Sequence, residues 1–450
     1  MRILVRACAL AIAFGWLAAV PVMAAAPPGA GSGAQLLAQS GTGKIKHVFV
    51  IVQEGHSFDN YFGTYPGVVG LGAQTSVPAN PTNPAAGSVA AHHLTSVRTS
   101  PLDNSLRAAE GALNGGAMNG FAVAQQSLPG ASQLAMGYYT GQQIPYYWDL
   151  AHHFVLADQF FSSALGGSVA NHQFLVAARS WTAPLPGAAL PSVPTIFNSL
   201  DAAKVSWGYF VAQYRTHVAE GRQSSLEPQV PLLGLANIAG NPADMARIQD
   251  ISHLYTDLAR GGLPSVNYVV QPGATEHAPG SVSHGQVATV GLINAIMRSR
   301  YWSSSAIFLT WSDWGGWYDQ VVPPQVNGAS EGFRVPLLIV SPFVRPGEVF
   351  SQPADFTSIL KFIEGLYGLS PLTSRDQNAT SLLGAFSLQA RPRAPTPVVM
   401  GQLPASVISH GSTGLVFVAY TLPGVILLAL VGLALWERGA GRASLLRRRL

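Results

Sequence analysis

Short apolar runs recur along the chain, and most of them are followed directly by polar or glycine-rich residues. The first run, Val48–Val52, is typical of a strand that is buried on both faces of a parallel sheet. Five later runs share this character: Phe154–Ala157, Val205–Val211, Ser265–Gln271, Ala306–Thr310 and Pro336–Ser341. The pattern therefore predicts a multi-stranded sheet with a buried interior.

Two further segments, Val287–Arg300 and Asp355–Tyr367, have helical patterns, and the second has an N-cap candidate at Asp355. Strands that alternate with helices favour an α/β fold, in which helices flank a central, mostly parallel sheet. Residues 70–133 are rich in Gly, Ala, Asn and Pro, so we expect surface loops there, over one end of the sheet.

The N-terminus has the features of a secretory signal peptide. Arg2 and Arg6 precede an apolar stretch, Cys8–Val22, which is followed by small residues suited to cleavage. We therefore predict a signal peptide over residues 1–26 and a flexible linker over residues 27–43. Cys8 is the only cysteine, so we expect a mature protein without disulfides, stabilised by a large core.

The C-terminus predicts a membrane anchor. Residues 413–436 carry no charge and are long enough to cross a bilayer as one C-terminal transmembrane helix. Residues 437–450 contain five arginines, which the positive-inside rule places in the cytoplasm. We therefore expect a single-pass protein of the cell membrane. Its domain, residues 44–385, would lie outside the cytoplasm, above a stalk over residues 386–412.

The net charge of +4 arises from the two ends of the chain, with 25 Lys and Arg against 21 Asp and Glu. Without the two arginines of the signal, the five of the tail and Glu437, 18 basic residues remain against 20 acidic ones. The domain is therefore slightly acidic. No basic stripe with interleaved aromatic residues is present in the sequence, so we expect no nucleic acid as a partner.

Polar clusters follow four of the predicted strands. Ligands bind beyond the carboxyl ends of the strands in open α/β sheets, so these clusters are candidates for one shared site. Glu54 and Asp313 have the hard oxygen atoms that suit a divalent cation. The alternative is that Glu54 precedes a helix capped by Ser57 or Asp59, and that Asp313 is a loop carboxylate.

The second cluster contains Gly166-Gly167-Ser168, in which a sharp turn would present a hydroxyl group. Ser168 is therefore a candidate nucleophile, although a hydroxyl that caps a tight turn has the same pattern. Asn171 and His172 follow it and offer hydrogen-bond donors to an anionic group, or satisfy local hydrogen bonds. Glu276-His277, after another strand, has the same two interpretations.

The opening motif resembles that of the bacterial phosphoesterase family, which contains phospholipases C and acid phosphatases. Here it consists of Glu54-Gly55-His56-Ser57-Phe58-Asp59, then Tyr61-Phe62-Gly63 and Pro66-Gly67. Further blocks match in order over residues 44–385. They are Met136–Tyr139, Ile144–Trp148, Leu156–Phe161, Gly166–His172, Glu276-His277, Thr310–Asp319, Gly332–Pro336 and Asp355–Glu364. The resemblance implies a fold like that of the alkaline-phosphatase superfamily.

The resemblance also implies roles for individual residues. Glu54 stands at the metal-binding Glu of the family, and Ser168 at the Ser or Thr nucleophile. Three positions depart from the pattern: Gly55 replaces an Asn of the metal site, His56 replaces an Arg, and Phe356 replaces a His. A fourth departure lies in the late acidic pair, which is Ser312-Asp313 here, so only Asp313 remains as a carboxylate.

Taken together, these observations predict a membrane-anchored, extracytoplasmic phosphoesterase of the phospholipase C type. It would use a metal-assisted serine nucleophile and a divalent metal ion on a phospholipid or another phosphate ester. Ser168, His172 and His277 are the predicted catalytic residues, His56, Asn171 and Glu276 the substrate-binding residues, and Glu54 and Asp313 the metal ligands. The alternatives are a catalytically degenerate binding protein of the cell envelope and an acid phosphatase that acts on monoesters.

Overall fold

The computed structural model describes residues 42–183, 188–326 and 328–401. An eight-stranded sheet forms its centre, in the order β8-β2-β7-β6-β1-β5-β3-β4. The strands are β1 His47–Gln53, β2 Val155–Ala157, β3 Trp207–Val211, β4 Ile248–Asp250, β5 Val266–Val270, β6 Ser305–Trp311, β7 Leu337–Val340 and β8 Glu348–Phe350. Within this sheet only β7 runs antiparallel to its neighbours, which confirms the prediction of a mostly parallel sheet.

Helices pack against this sheet. Those of five or more residues are α1 Phe58–Phe62, α2 Leu106–Leu113, α3 Pro145–His153, α4 Ser168–Ala177, α5 Ile196–Ala202, α6 Tyr214–Ala219, α7 Ile251–Arg260, α8 Val282–Arg298, α9 Phe356–Tyr367 and α10 Ser374–Asn378. Shorter helices span Phe121–Ala124, Ala131–Leu134, Ala236–Ala239 and Pro242–Met245. Two-stranded pairings join Ser76–Pro78 to Ser88–Ala90, His92–His93 to Gly137–Tyr138, Phe160–Phe161 to Ala354–Asp355, and Gln325–Val326 to Ala329–Ser330.

Strand β1 is the centre of the sheet because it pairs with β5 on one side and with β6 on the other. All of its residues from Val48 to Gln53 are buried, as the apolar run predicts. The three strands are parallel, so their carboxyl ends meet at one edge of the sheet. Consequently, the segments that follow Gln53, Val270 and Trp311 lie side by side there.

The helix boundaries follow from local caps. Asp355 caps α9 as predicted: its side chain accepts from Thr357 N, and Ser358 completes a capping box. Helix α8 begins at Val282, five residues before the predicted start at Val287. The reason is Ser281, whose hydroxyl accepts from His284 N and so caps the helix earlier.

The segment over residues 70–133 is more ordered than the predicted surface loops. Helix α2 and the helix Phe121–Ala124 lie in it, and both contribute to a second, smaller apolar cluster with Trp314 and Phe333. Much of this cluster consists of alanine, including Ala109 and Ala112. Helix α2 has only eight residues and the other helix only four, so neither gives a long periodic pattern in the sequence.

Residues 386–401, the first part of the predicted stalk, lie against the domain. Asn294 on α8 exchanges two hydrogen bonds with the backbone of Val398, and Trp302 Nε1 donates to Arg393 O. The predicted signal peptide, transmembrane helix and cytoplasmic tail lie outside the described residues. Within the three described ranges, no helix combines the length and the apolarity needed to cross a bilayer.

Candidate active site

The ends of β1 and β6 bring Glu54, Ser312 and Asp313 together. Ser312 N donates to Gln53 O at 2.8 Å, which holds the two strand ends in register. Ser312 Oγ lies 2.6 Å from Glu54 Oε2 and 3.0 Å from Asp313 Oδ2. All three side chains are buried, so they interact with little screening by water.

Helix α4 adds His172 to this group. His172 Nε2 lies 2.7 Å from Glu54 Oε1 in a pair that is almost fully buried. Burial alone would raise the pKa of Glu54, but the charge of His172 and hydrogen bonds from His172 and Ser312 together hold that pKa below its ordinary value. Glu54 is therefore a carboxylate, and His172 Nε2 carries the hydrogen that it donates to Glu54.

The hydroxyl of Ser312 stands between two carboxyl groups but has only one hydrogen to donate. Burial raises the pKa of Asp313; the charge of His277 opposes this shift, and that of Glu54 adds to it. A protonated Asp313 that donates to Ser312, which in turn donates to Glu54, satisfies every distance. Position 312 thus makes a hydrogen-bonded link where the resemblance implies an acidic ligand.

Asn104 is a member of the site that the sequence did not reveal. Its Nδ2 donates to Asp313 Oδ1 at 3.0 Å, and the same oxygen accepts from Gly315 N at 2.8 Å. Asn104 also lies against the Gly166-Gly167 turn, since a Cβ atom on Gly167 would be 3.8 Å from Asn104 Nδ2. It therefore joins the acidic end of β6 to the start of α4. A single asparagine in a polar loop carries no signal that would have identified it.

Ser168 is the first residue of α4, as the Gly-Gly turn before it permits. Gly166 adopts a φ of +110°, a left-handed conformation that favours glycine. Gly167 caps the helix without a side-chain hydrogen bond, so the first backbone N–H groups are available to an anion. Ser168 is half-buried, and within the described residues its hydroxyl makes no hydrogen bond. His172 follows four positions later and so lies on the same face of the helix.

His277 fills the space beside Gly55. Gly55 has a φ of +61°, and a Cβ atom there would overlap His277 Nδ1. The imidazole thus occupies the volume into which a side chain at position 55, such as the Asn that the resemblance implies, would extend. His277 is half-buried, and its charge affects the pKa of both Glu54 and Asp313, so it faces the same group of side chains.

The three residues predicted to bind substrate are all buried and bonded to the protein. Asn171 exchanges hydrogen bonds with the backbone of Ala164 and donates to Gly167 O, so it braces the turn before Ser168. His56 stacks on Tyr61, with a ring-centroid distance of 4.3 Å, and both of its nitrogens lie near oxygen acceptors. Burial lowers the pKa of His56 to about 4. Glu276 is enclosed by donors from three other elements. The polar atoms of all three side chains therefore lie within hydrogen-bonding distance of protein groups.

Comparison with known proteins identifies the family. The sequence model of the Phosphoesterase family matches residues 45–370. The chain belongs to the Phosphoesterase family. Phosphoesterase relatives include phospholipase C B of Mycobacterium tuberculosis, which is 27% identical over 78% of this chain and 80% of the relative. Non-specific phospholipase C1 of Arabidopsis thaliana is 25% identical over 82% of this chain and 76% of the relative.

Among solved structures, a protein of the alkaline phosphatase superfamily from Vibrio parahaemolyticus aligns with a TM-score of 0.36 and 10% identity. The alignment covers 73% of this chain and 68% of that one. The family and its phospholipase C relatives make this protein a hydrolase that acts on phosphoric ester bonds.

Members of the Phosphoesterase family are generally metal-dependent. Within the described ranges, however, no group of three or more His, Cys, Asp or Glu side chains is placed to hold a metal ion. All four side-chain oxygens of Glu54 and Asp313 are within hydrogen-bonding distance of protein groups. A cation that clamps a phosphoryl group needs several fixed ligands. The donor set of this chain does not fit the metal centre that the resemblance implies.

Restoring a carboxylate at position 312 is expected to create a response to metal. Without metal, Ser312→Asp should unfold at a lower temperature than the wild type, because three buried carboxylates would face one another. With a divalent cation at 100-fold its Kd, the variant should gain about 2.7 kcal/mol. Thermal unfolding in Mn²⁺, Ca²⁺ and Zn²⁺ series measures both effects. Ser312→Asn, with a similar shape and no charge, is the control, and an equal metal response in the wild type would contradict the prediction.

Proposed function

We propose that this protein cleaves phosphodiesters in the manner of a phospholipase C, outside the cytoplasm and tethered by its C-terminal segment. One observation supports the proposal above the others. Ser168 starts a helix whose N-terminal N–H groups lack a side-chain cap, one turn from a histidine that is paired with a buried carboxylate. A nucleophile, a base and a group that orients the base are the parts that serine-based phosphoryl transfer needs.

The pairing with Glu54 sets the role of His172. In the neutral form of His172, Nε2 carries the hydrogen that is donated to Glu54, so Nδ1 is the nitrogen left to accept a proton, and Glu54 then stabilises the resulting imidazolium. Side chains on a helix tilt towards its N-terminus, so His172 lies over the turn that begins with Ser168, and we infer that Nδ1 comes within reach of Ser168 Oγ when substrate binds. His172 therefore takes the hydroxyl proton as Ser168 Oγ attacks phosphorus.

The reaction then has two steps. In the first, the Oγ–P bond forms, the bond from phosphorus to the leaving alcohol breaks, and His277 supplies the proton that the departing oxygen takes up. In the second, a water oxygen attacks phosphorus while His277, now without its proton, takes a proton from that water. The P–Oγ bond breaks, and His172 returns its proton to Ser168 Oγ, which regenerates the serine. The N–H groups at the start of α4 stabilise the charge on the phosphoryl oxygens in both steps.

A second candidate function is a phosphate-ester-binding protein of the cell envelope. Three positions favour it: Gly55, Ser312 and Phe356 have replaced residues that the resemblance associates with the metal and phosphate sites. Phe356 is fully buried and packs on Phe160, with 5.6 Å between ring centroids, so it contributes to the core. A monoesterase would use the same residues with a differently shaped pocket.

The test is an assay of the purified full chain with p-nitrophenyl phosphorylcholine, a diester, and p-nitrophenyl phosphate, a monoester. We expect the diester to be turned over faster, and the release of nitrophenol measures both rates. Faster turnover of the monoester would identify a phosphatase. Binding of either ester without turnover would identify the binding protein.

A further inference from the structure

Glu276 is a buried carboxyl group held by three donors. It is 2% exposed. Tyr61 Oη donates to its Oε2 at 2.7 Å, Trp311 Nε1 donates to the same oxygen at 2.8 Å, and Tyr147 Oη donates to Oε1 at 2.5 Å. Both oxygens thus accept hydrogen bonds from protein donors.

The three donors come from three different parts of the site. Tyr61 lies on α1, which follows Glu54. Trp311 is the last residue of β6 and directly precedes Ser312 and Asp313. Tyr147 lies on α3 and packs edge-on against Trp311, with ring centroids 5.1 Å apart. The carboxyl group of Glu276 therefore connects the segments that carry the two acidic residues of the site.

The backbone of Glu276 adds a further connection. Its carbonyl oxygen lies 3.1 Å from His56 Nε2, in the turn that begins with Gly55. His277, the next residue along the chain, faces Glu54 and Asp313. A movement of Glu276 would therefore be transmitted to His277 directly and to the other two segments through their hydrogen bonds.

The surrounding fold accommodates this side chain specifically. Helix α8 passes Glu276 at Gly285, where a Cβ atom would overlap Glu276 Cγ. Burial raises the pKa of Glu276 to about 7, against the opposing effect of its three hydrogen bonds. A buried carboxyl group is costly, and an apolar side chain of similar size would often be at least as stable. The donors from three separate elements indicate that the group serves their alignment.

We propose that Glu276 is a positioning residue that holds His277 and the Ser312-Asp313 segment in register with Glu54. It acts without touching the substrate, in contrast to the substrate-binding role that the sequence suggested. The catalytic part of this inference rests on the proposed function, whereas the alignment itself does not.

The test uses Glu276→Gln in the full chain. Glutamine keeps the shape of the side chain. Its NH2 group, however, takes the place of one carboxylate oxygen and cannot accept the hydrogen bonds that this oxygen accepts in the wild type. We expect kcat for the diester to fall about 10- to 100-fold, the range seen when residues that orient a site are altered. KM should stay within about twofold, because the substrate contacts remain.

A double variant separates positioning from simple loss of stability. Adding Tyr147→Phe to Glu276→Gln removes one donor that has lost its acceptor, so thermal stability should recover in part. Because the alignment is still lost, kcat should remain low. If kcat instead recovers in step with the unfolding temperature, Glu276 has only a structural role and the proposal is wrong.

The matched control is Glu331→Gln. Glu331 is another buried carboxyl group, paired with Arg375 at 2.8 Å and with no contact to the Glu54 network among the described residues. It should lower stability and leave kcat unchanged. An equal loss of kcat in this control would contradict a specific role for Glu276.

Amide hydrogen exchange gives a readout that does not need turnover. In Glu276→Gln, peptides that contain residues 275–280 and 312–317 should exchange faster than in the wild type, while residues 374–378 should not change. Unchanged exchange at both site segments would overturn the proposal even if the wild type were inactive. If the wild type is inactive but these segments exchange faster in Glu276→Gln than in the wild type, the proposed function is rejected and the positioning role is retained.

Discussion

Replacing Ser168 by alanine is expected to lower kcat for the diester by at least about 10³-fold, the scale of loss when a serine nucleophile is removed. The reason is that Oγ is the atom that bonds to phosphorus. Ser168 is half-buried, and in the described part of the chain its hydroxyl makes no hydrogen bond, so its removal costs little stability. The unfolding temperature should therefore stay close to that of the wild type while turnover disappears.

Two variants make this experiment decisive. Ser168→Thr keeps a hydroxyl at the start of α4 and should retain measurable turnover. Val169→Ala changes the neighbouring side chain, which is 47% exposed, and should leave turnover unchanged. If kcat of Ser168→Ala for the diester lies within about threefold of the wild-type value, no phosphoserine forms, and a water activated elsewhere in the site must attack phosphorus.

The fold could be predicted well where strands are long and apolar. Strands β1, β5 and β6 have mainly apolar sequences, and their positions agree with the prediction, as does that of the helix after Asp355. The edge strands β4 and β8 have only three residues each, and their composition does not differ from that of loops. The antiparallel direction of β7 also escaped prediction, because direction depends on the path of the chain and not on local composition.

The candidate site could be predicted only in part, because the sequence shows residue types and not their burial. Glu54, His172, Ser312 and Asp313 do meet at one edge of the sheet, since they follow adjacent elements. His56 lies in the same motif as Glu54, and Glu276 directly precedes His277. Each of the two is nevertheless enclosed by aromatic side chains, some of which come from distant parts of the chain. Only the packing of Tyr61, Tyr147 and Trp311 separates a positioning role from a binding role.

Burial also determines the role of Arg334, which the sequence does not reveal. Arg334 lies in the matching block Gly332–Pro336, but the resemblance assigned no role to it. Arg334 is fully buried, and its guanidinium donates to Asp59 Oδ1 and to Asp319 Oδ1, both at 2.9 Å. It also donates to the backbone oxygens of Val69 and Asp158. One cation thus joins the opening motif, the end of the segment Thr310–Asp319 and the loop after β2 that contains Asp158.

Arg334→Met should lower the free energy of unfolding by about 3–5 kcal/mol, because it leaves two buried carboxyl groups without their cation. Burial and repulsion from Asp319 raise the pKa of Asp59 to about 8, although the charge of Arg334 opposes this shift. Ionised carboxyl groups in this cluster therefore depend on Arg334 for stabilisation. Urea unfolding of the full chain, followed by tryptophan fluorescence, measures the loss.

An exposed arginine provides the control for this prediction. Arg345 pairs with Glu348 at 3.4 Å and is 69% exposed, so Arg345→Met should cost no more than about 1 kcal/mol. Adding Asp59→Asn and Asp319→Asn to Arg334→Met should return part of the lost stability, since no uncompensated charge then remains buried. If that triple variant is no more stable than Arg334→Met alone, stacking of the guanidinium on Phe58, whose ring centroid lies 4.6 Å from Cζ, and not its pairing with the two carboxyl groups, holds these segments together.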